Sequence, residues 1–551
     1  MMVKNPAPPP SPAVVGGGAL TAGPATMVRS PASAGQSPAA AVAASLARQR
    51  EEGGSTIYIH LASSERRAEE IARALIGMAP SADVLMLPAW DCLPYDRASP
   101  SRDVMGRRMR VLEQLARRPD LPRFLVTSPE AILQRLPPAA ALGQGFLALA
   151  VGERLDREAL SRYAARTGYV FDDRIDEPGE IAILGEVVDI FPADADQPVR
   201  VVLGEDDAIT EIRLYDPLTQ RSEAVLTSLS IGPASELIWP AQVEDGVADI
   251  HAPGIEHQLS QHYEGLVTLW ELLPRTARLS QDPKAAERLA QVEGQILEAH
   301  ESQCAFAGHD GAPSPPAGLY ALGQELSGGL ETWAANDLDL DGIVATPRLA
   351  AARNPGRAFC DLVERQQAAG HRVILTGLAH EQRALAKALA RGLDLKPDSV
   401  ADWSAGLART PGDVASIEID IEAGFFDDTH ALTVIAASDV LGGRLAARKS
   451  TSAADLLADP DLRIGDVILH EDHGVGVLRD LVEVDIDGVT RDALQLEYRG
   501  GASLLAPITE IGRIWRYGAE ASAVTLDRLD GPGWAKRRAE VSRQVEDTAQ
   551  G

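Results

Sequence analysis

The spacing of apolar residues changes along the chain, and each change marks a module. STIYIHLA (55–62), VLMLP (84–88) and RFLVTS (123–128) are short apolar runs of strand length. Near-continuous hydrophobicity of this kind suits strands covered on both faces. SERRAEEIARALIGMA (64–79) has the period of an amphipathic helix, with Ser64 placed to cap it, and a further helix is predicted around 104–117. Strands that alternate with helices predict a parallel α/β sheet. From about residue 146 the pattern is different. RLDREALSRYAARTGY reads as a helix, and GEIAILGEVVDIFP (179–192), PVRVVL (198–203) and ITEIRLYD (209–216) read as closely spaced strands of a small antiparallel α+β unit.

Residues 255–335 read as mostly helical and close in Gly- and Pro-rich loops. Alternation returns over 336–448, where HRVILTGL (371–378) precedes the helix EQRALAKALARGL and is followed by SIEIDI (416–421) and ALTVIAA (431–437). The stretch 445–460 is small and polar, as a linker would be. Over 461–518, short alternating strands separated by HGVG, DIDG and RGG turns predict a small, strongly bent β-barrel, and GWAKRRAEVSRQVEDTA (533–549) a terminal helix. The fold class expected is therefore α/β multidomain. The expected segments are a tail at 1–45, an α/β domain at 46–145, an inserted α+β module at 146–200 and a helical remainder at 201–335. A second α/β domain follows at 336–448, then a linker at 449–460, a barrel at 461–525 and the start of a helix at 526–551.

Composition adds limits to this picture. With 551 residues, 45% hydrophobic and 24% charged, the chain has room for three to five folded domains. Residues 1–45 are Ala, Pro, Gly and Ser with almost no aromatics, so they are expected to be disordered, and they lack the basic start of a secretory signal. The 52 Lys and Arg against 80 Asp and Glu give a net charge of −28, which repels nucleic acid and anionic lipid unless a basic patch is concealed. Cys92, Cys304 and Cys360 form no C-x-x-C pair and no even disulfide framework, which fits a cytoplasmic protein. No apolar run reaches the roughly 18 residues that a membrane span needs.

Catalytic signals are missing. No Gly-Lys dipeptide occurs, so there is no phosphate-cradling P-loop, and the Gly-rich turn EEGGST (51–56) lacks the lysine that would meet a nucleotide. His470 and His473 are spaced for a strand entering a turn, not for one helical face, so a turn-filling role for His473 is expected over a metal site. No catalytic, cofactor-binding or metal-ligating residue is assigned.

Two stretches are distinctive. LPAWDCLPYDRASPSRDVMGRRMRVLEQL (87–115) resembles the N-terminal domain of bacterial transcription-repair coupling factors, the Mfd family. GDVILHEDHGVG, LQLEYRGGASLLAP and ITEIGRIWRYG resemble that family's RNA polymerase-interacting domain, a Tudor-like barrel shared with CarD-type regulators. GEVVDIFP and RLYDPLTQRS are similar to the part shared with UvrB, and 357–445 to the family's third, structural domain.

Several residue roles follow. Pro88, Pro94 and Pro100 hold an extended loop that Trp90 and Tyr95 are expected to pack down. Arg102, Arg107, Arg108 and Arg110 form the densest basic cluster, read either as a contact for an acidic partner or nucleic acid, or as a helix face paired with nearby carboxylates. LVEVDID (481–487) is the candidate for strand addition, with Leu481, Glu483, Asp485 and Asp487 on one face and Val482, Val484 and Ile486 on the other. The resemblance implies that this strand meets the RNA polymerase β subunit, with Val484 either an apolar contact or barrel core. Residues 461–520 hold six basic and twelve acidic residues, a net of −6, which favours a protein partner over DNA there.

Two departures from the family pattern stand out. Where the family carries basic residues for UvrA, this chain has Phe171, Ala182 and Leu184, so charge-assisted docking on UvrA is weakened and that partner stays an open one. Family members also continue into ATP-driven motor lobes, whereas this sequence stops at Gly551. The expectation is therefore a motorless, cofactor-free adaptor, with ATP used only by full-length members and DNA met only indirectly. Two alternatives are part of a split translocase and a stand-alone CarD-like regulator.

Overall fold

The computed structural model describes residues 37–53, 57–117, 123–216, 221–240, 251–306, 313–441, 467–470, 473–486, 489–499, 502–507 and 514–516. The expected linker (449–460) and terminal helix (533–549) lie outside these residues. Among the described residues the fold is α/β and multidomain, with both parallel and antiparallel sheets.

The first sheet is parallel, in the order Ala334–Ala335, Arg278–Gln281, Ile57–Leu61, Arg123–Thr127, Asp83–Leu87. Ile57–Leu61 and Arg123–Thr127 are buried at every position, which explains their unbroken apolar character. Two strands come from the stretch expected to be helical. RLSQ and the dipeptide Ala334–Ala335 carry no strand period of their own, and it is their neighbours' ladders that make them strands. Helix Glu65–Met78 buries Ala68, Ile71, Ala72, Leu75 and Met78, and the Ser64 hydroxyl accepts the Arg67 N–H at 3.4 Å. Ser64→Ala should lower stability by about 0.5–1 kcal/mol, read as a shift of the urea midpoint without a change in slope.

The expectation of a disordered 1–45 needs correction at its end. Ala39–Glu51 is a helix, and Ala40 to Ala47 are all buried. Its side chains join a core shared by the first sheet, through Tyr58, Phe124 and Val126, and the third sheet, through Ile417, Phe425, Leu432 and Val434. Alanine lets two sheets approach the helix closely, and a helix covered on all sides has no amphipathic signature to reveal it. Its end is pinned to both bodies: Tyr58 Oη donates to the Gln49 carbonyl at 3.1 Å, and Arg48 meets Asp427 at 3.3 Å.

The second sheet runs Ser222–Leu226, Ile209–Tyr215, Val199–Leu203, Val187–Ile190, Glu180–Leu184, Val170–Phe171, antiparallel except for the last pair. A two-stranded ribbon, Leu147–Ala150 with Ser228–Ile231, lies at the two ends of this unit in sequence. The module therefore does not end at 200: that boundary falls inside Val199–Leu203, a strand paired on both sides. Helix Arg157–Arg166 buries Leu160, Tyr163 and Ala164, which share one core with Val188, Ile190 and Val201 of the sheet.

The third sheet is mixed, in the order Val344–Ala345, Phe425–Asp427, Leu432–Ala436, Arg372–Thr376, Val414–Ile417, Asp398–Ser399. The last described unit is a five-stranded antiparallel sheet, Ser503–Pro507, Val489–Glu497, Gly474–Ile486, Val467–His470, Ile514–Arg516. No described helix is long and apolar enough to cross a membrane.

Candidate functional site

The basic cluster is the first place where tertiary structure changes the reading. On helix Arg102–Arg117, Arg108 is fully buried, its Nε 2.5 Å from Glu236 Oε1 and its Nη1 2.6 Å from the Pro88 carbonyl. The Trp90 indole N–H donates to the same Glu236 oxygen at 2.7 Å. Arg110 reaches Asp194 at 2.6 Å and the Ser230 carbonyl at 3.0 Å, and lies over the Phe146 ring. Arg107 pairs with Asp103 one turn back, and the stem of Arg102 packs against Gly179, whose φ of +84° and close quarters exclude a Cβ. Three of the four cations thus face carboxylates of their own chain. The cluster binds helix, proline-rich loop and inserted module together and is not a free basic patch.

In that loop Trp90 and Tyr95 surround His257, with ring centroids 5.4 and 6.4 Å away. Tyr95 is buried with φ +59°. Burial, followed by the charges of Asp91 and Asp96, pushes the Cys92 thiol up to about 12, so it is a poor nucleophile.

The three positions matched to the family's UvrA contacts come together at one edge of the module. Phe171 is 48% exposed and Leu184 53%, and both line a groove of about 640 Å³ with Ala182. Ala182 itself is only 4% exposed, so it contributes floor and not contact surface. The groove also takes in Arg157, Glu158, Asp172, Asp173 and Ile183, which the sequence reading did not single out. Arg157 and Glu158 come from a helix some 20 residues away in sequence, and only the fold of the module shows that they face this strand.

The strand-addition candidate is also repositioned. Leu481–Ile486 belongs to Gly474–Ile486, which is an inner strand in the sheet order and not an edge. Its two halves differ, however. Val467–His470 covers only Gly474 to Val477, whereas Val489–Glu497 pairs along the length from Val477 to Ile486, with Val484 opposite Arg491. Among the described residues, Leu481, Val482, Val484 and Ile486 are therefore paired on one side only. The side chains of these four, and all of Asp487, lie outside the described residues. The described core of this sheet contains Ile468, Leu478, Leu494, Leu496, Tyr498 and Ile514. His470 is buried with its ring 4.8 Å from that of His473, and no cluster of three or more metal-ligating side chains occurs among the described residues.

Known proteins agree with this layout. Residues 147–237 match the UvrB interaction domain, and 462–518 match the CarD-like/TRCF RID domain. The chain is similar to the transcription-repair-coupling factor of Escherichia coli (strain K12), 28% identical in an alignment 521 positions long that covers 85% of this chain and 44% of that protein. That of Bacillus subtilis (strain 168) is 23% identical in an alignment 540 positions long that covers 88% of this chain and 45% of that protein. That of Mycobacterium tuberculosis (strain CDC 1551 / Oshkosh) is 27% identical in an alignment 580 positions long, gaps included, that covers 92% of this chain and 46% of that protein. The chain thus spans about half the length of the curated relatives it matches. These matches bear out the resemblance to transcription-repair coupling factors read from the two distinctive stretches.

Proposed function

We propose that this chain joins RNA polymerase to nucleotide excision repair by protein contacts and performs no chemistry of its own. The observation that carries this reading is the presence in one chain, in order, of a match to the UvrB interaction domain at 147–237 and one to the CarD-like/TRCF RID domain at 462–518. In this reading the polymerase β subunit adds a strand along Leu481–Ile486, where pairing on one side is open among the described residues. Main-chain hydrogen bonds supply the register and side chains the specificity. The groove at Phe171 and Leu184 is the contact for a repair protein, with UvrA the natural candidate. No cofactor takes part, DNA is met only through partners, and the site of action is the cytoplasm.

Val484 lies midway along the half-paired stretch. Val484→Arg should weaken capture of purified RNA polymerase at least tenfold, with an unchanged circular dichroism spectrum. Unaltered capture by the folded variant would remove this strand from the interface.

A further inference from the structure

We infer that the groove on the module's last long strand, Glu180–Leu184, accepts an extended protein segment in which apolar and cationic side chains alternate. This rests on the reading of 147–237 as a docking module and names the chemistry of what docks there.

The main chain provides the first reason. Val170–Phe171 covers this strand only as far as the Phe171–Ile181 pair, and the Asp172 N–H closes that side by donating to the Ile181 carbonyl at 3.2 Å. Ile183 and Leu184 continue beyond it, and no strand pairs with them on that side among the described residues. Such an edge is a template for a strand from another chain.

The walls provide the second. Phe171 and Leu184, about half exposed, line the groove together with Ile183, and Val170, next to Phe171 in sequence, is also exposed. Clustered exposed apolar side chains at a sheet edge mark an interaction site more often than isolated ones do.

Charge decides the partner. Asp172, Asp173 and Glu158 line the groove, and Arg157 is the one cation among its lining residues. Arg157 is already engaged by its own chain, its guanidinium 2.6 Å from Asp207 and 2.5 Å from the Gly185 carbonyl. The nearby Arg174 faces Asp176, and Glu158 has only a 3.8 Å contact with Arg162. Asp172 and Asp173 form no ion pair among the described residues. An acidic segment would meet like charge and be rejected, whereas a cationic one would neutralise both aspartates while its apolar residues cover Phe171 and Leu184.

The probe is a pair of synthetic peptides, acetyl-(Val-Lys)4-amide and acetyl-(Val-Glu)4-amide, titrated into the full chain with labelled Ile and Leu methyl groups at about 0.15 M salt, where diffuse attraction to the acidic chain is screened. The Lys peptide is expected to shift the Ile183 and Leu184 methyl signals and to bind at least tenfold more tightly than the Glu peptide. Asp172→Lys with Asp173→Lys, both exposed, should reverse that preference and leave core methyl signals in place. Shifts at these methyls that are equal for both peptides, or absent for both, overturn the inference. UvrA capture is run in parallel. Capture that the Lys peptide does not compete with keeps the docking reading and removes this one, and peptide binding without UvrA capture does the opposite.

Discussion

Replacing Arg108 by alanine is expected to destabilise the first domain and the module it holds by about 3–5 kcal/mol, the cost of stranding one member of a buried ion pair. Both partners have no solvent exposure, so the variant would leave the Glu236 side chain buried with only the Trp90 N–H as a hydrogen-bond partner for the oxygen that Arg108 now holds. The loss extends beyond one bond, because Arg108 also holds the Pro88 carbonyl and so anchors the loop that begins there. Unfolding followed by near-UV signals of Trp90 and Trp239 should move to lower urea. The double variant Arg108→Met with Glu236→Gln should recover at least half of the loss, since it removes both charges and keeps an acceptor for the indole. If the double variant is no better than Arg108→Ala, packing and not the unpaired carboxylate is the cause.

Glu65→Gln is expected to make the protein more stable at pH 8 by up to about 3 kcal/mol and to leave it unchanged near pH 4. Burial pushes the Glu65 carboxyl up to about 7, and the neighbouring Glu69 and Glu130 add to the rise. The Ser128 hydroxyl and the Ala89 N–H, 3.0 Å away, oppose it. The folded state therefore prefers the protonated acid. Its stability contribution is complete below the unfolded value of 4.5 and is lost as the pH climbs through about 7. Asp439, raised to about 6 by burial, titrates in the same window, so the wild type alone would not isolate Glu65. The difference between wild type and Glu65→Gln across pH 4–8 does isolate it. A pH-independent difference would show that Glu65 ionises freely in the fold.

The groove shows where local reading stops. Phe171, Ala182 and Leu184 are legible in the sequence only as places where a family pattern loses its cations. Their place in one groove comes from the parallel pairing that sets Phe171 beside Ile181, and a helix adds Glu158 to the same lining. The terminal sheet shows the same limit. LVEVDID was legible as a strand from its alternation, but a strand's own residues do not state how far its neighbour extends. That Val467–His470 stops opposite Val477 is a fact about the sheet.

Sequence alone determined the elements whose burial is written in their spacing. Ile57–Leu61 and Arg123–Thr127 are continuous apolar runs because both faces are covered, and helix Glu65–Met78 shows its period because one face is. Tertiary structure decided whatever depended on a partner far away in the chain. It made a buried helix of Ala39–Glu51, which no pattern announced, and strands of Arg278–Gln281 and Ala334–Ala335. It also separated Arg107 from Arg108, adjacent and chemically identical, leaving one at the surface and placing the other without solvent against Glu236, 128 residues on. Local periodicity records which way a side chain points; what it meets there is set by long-range packing, which no short stretch of sequence contains.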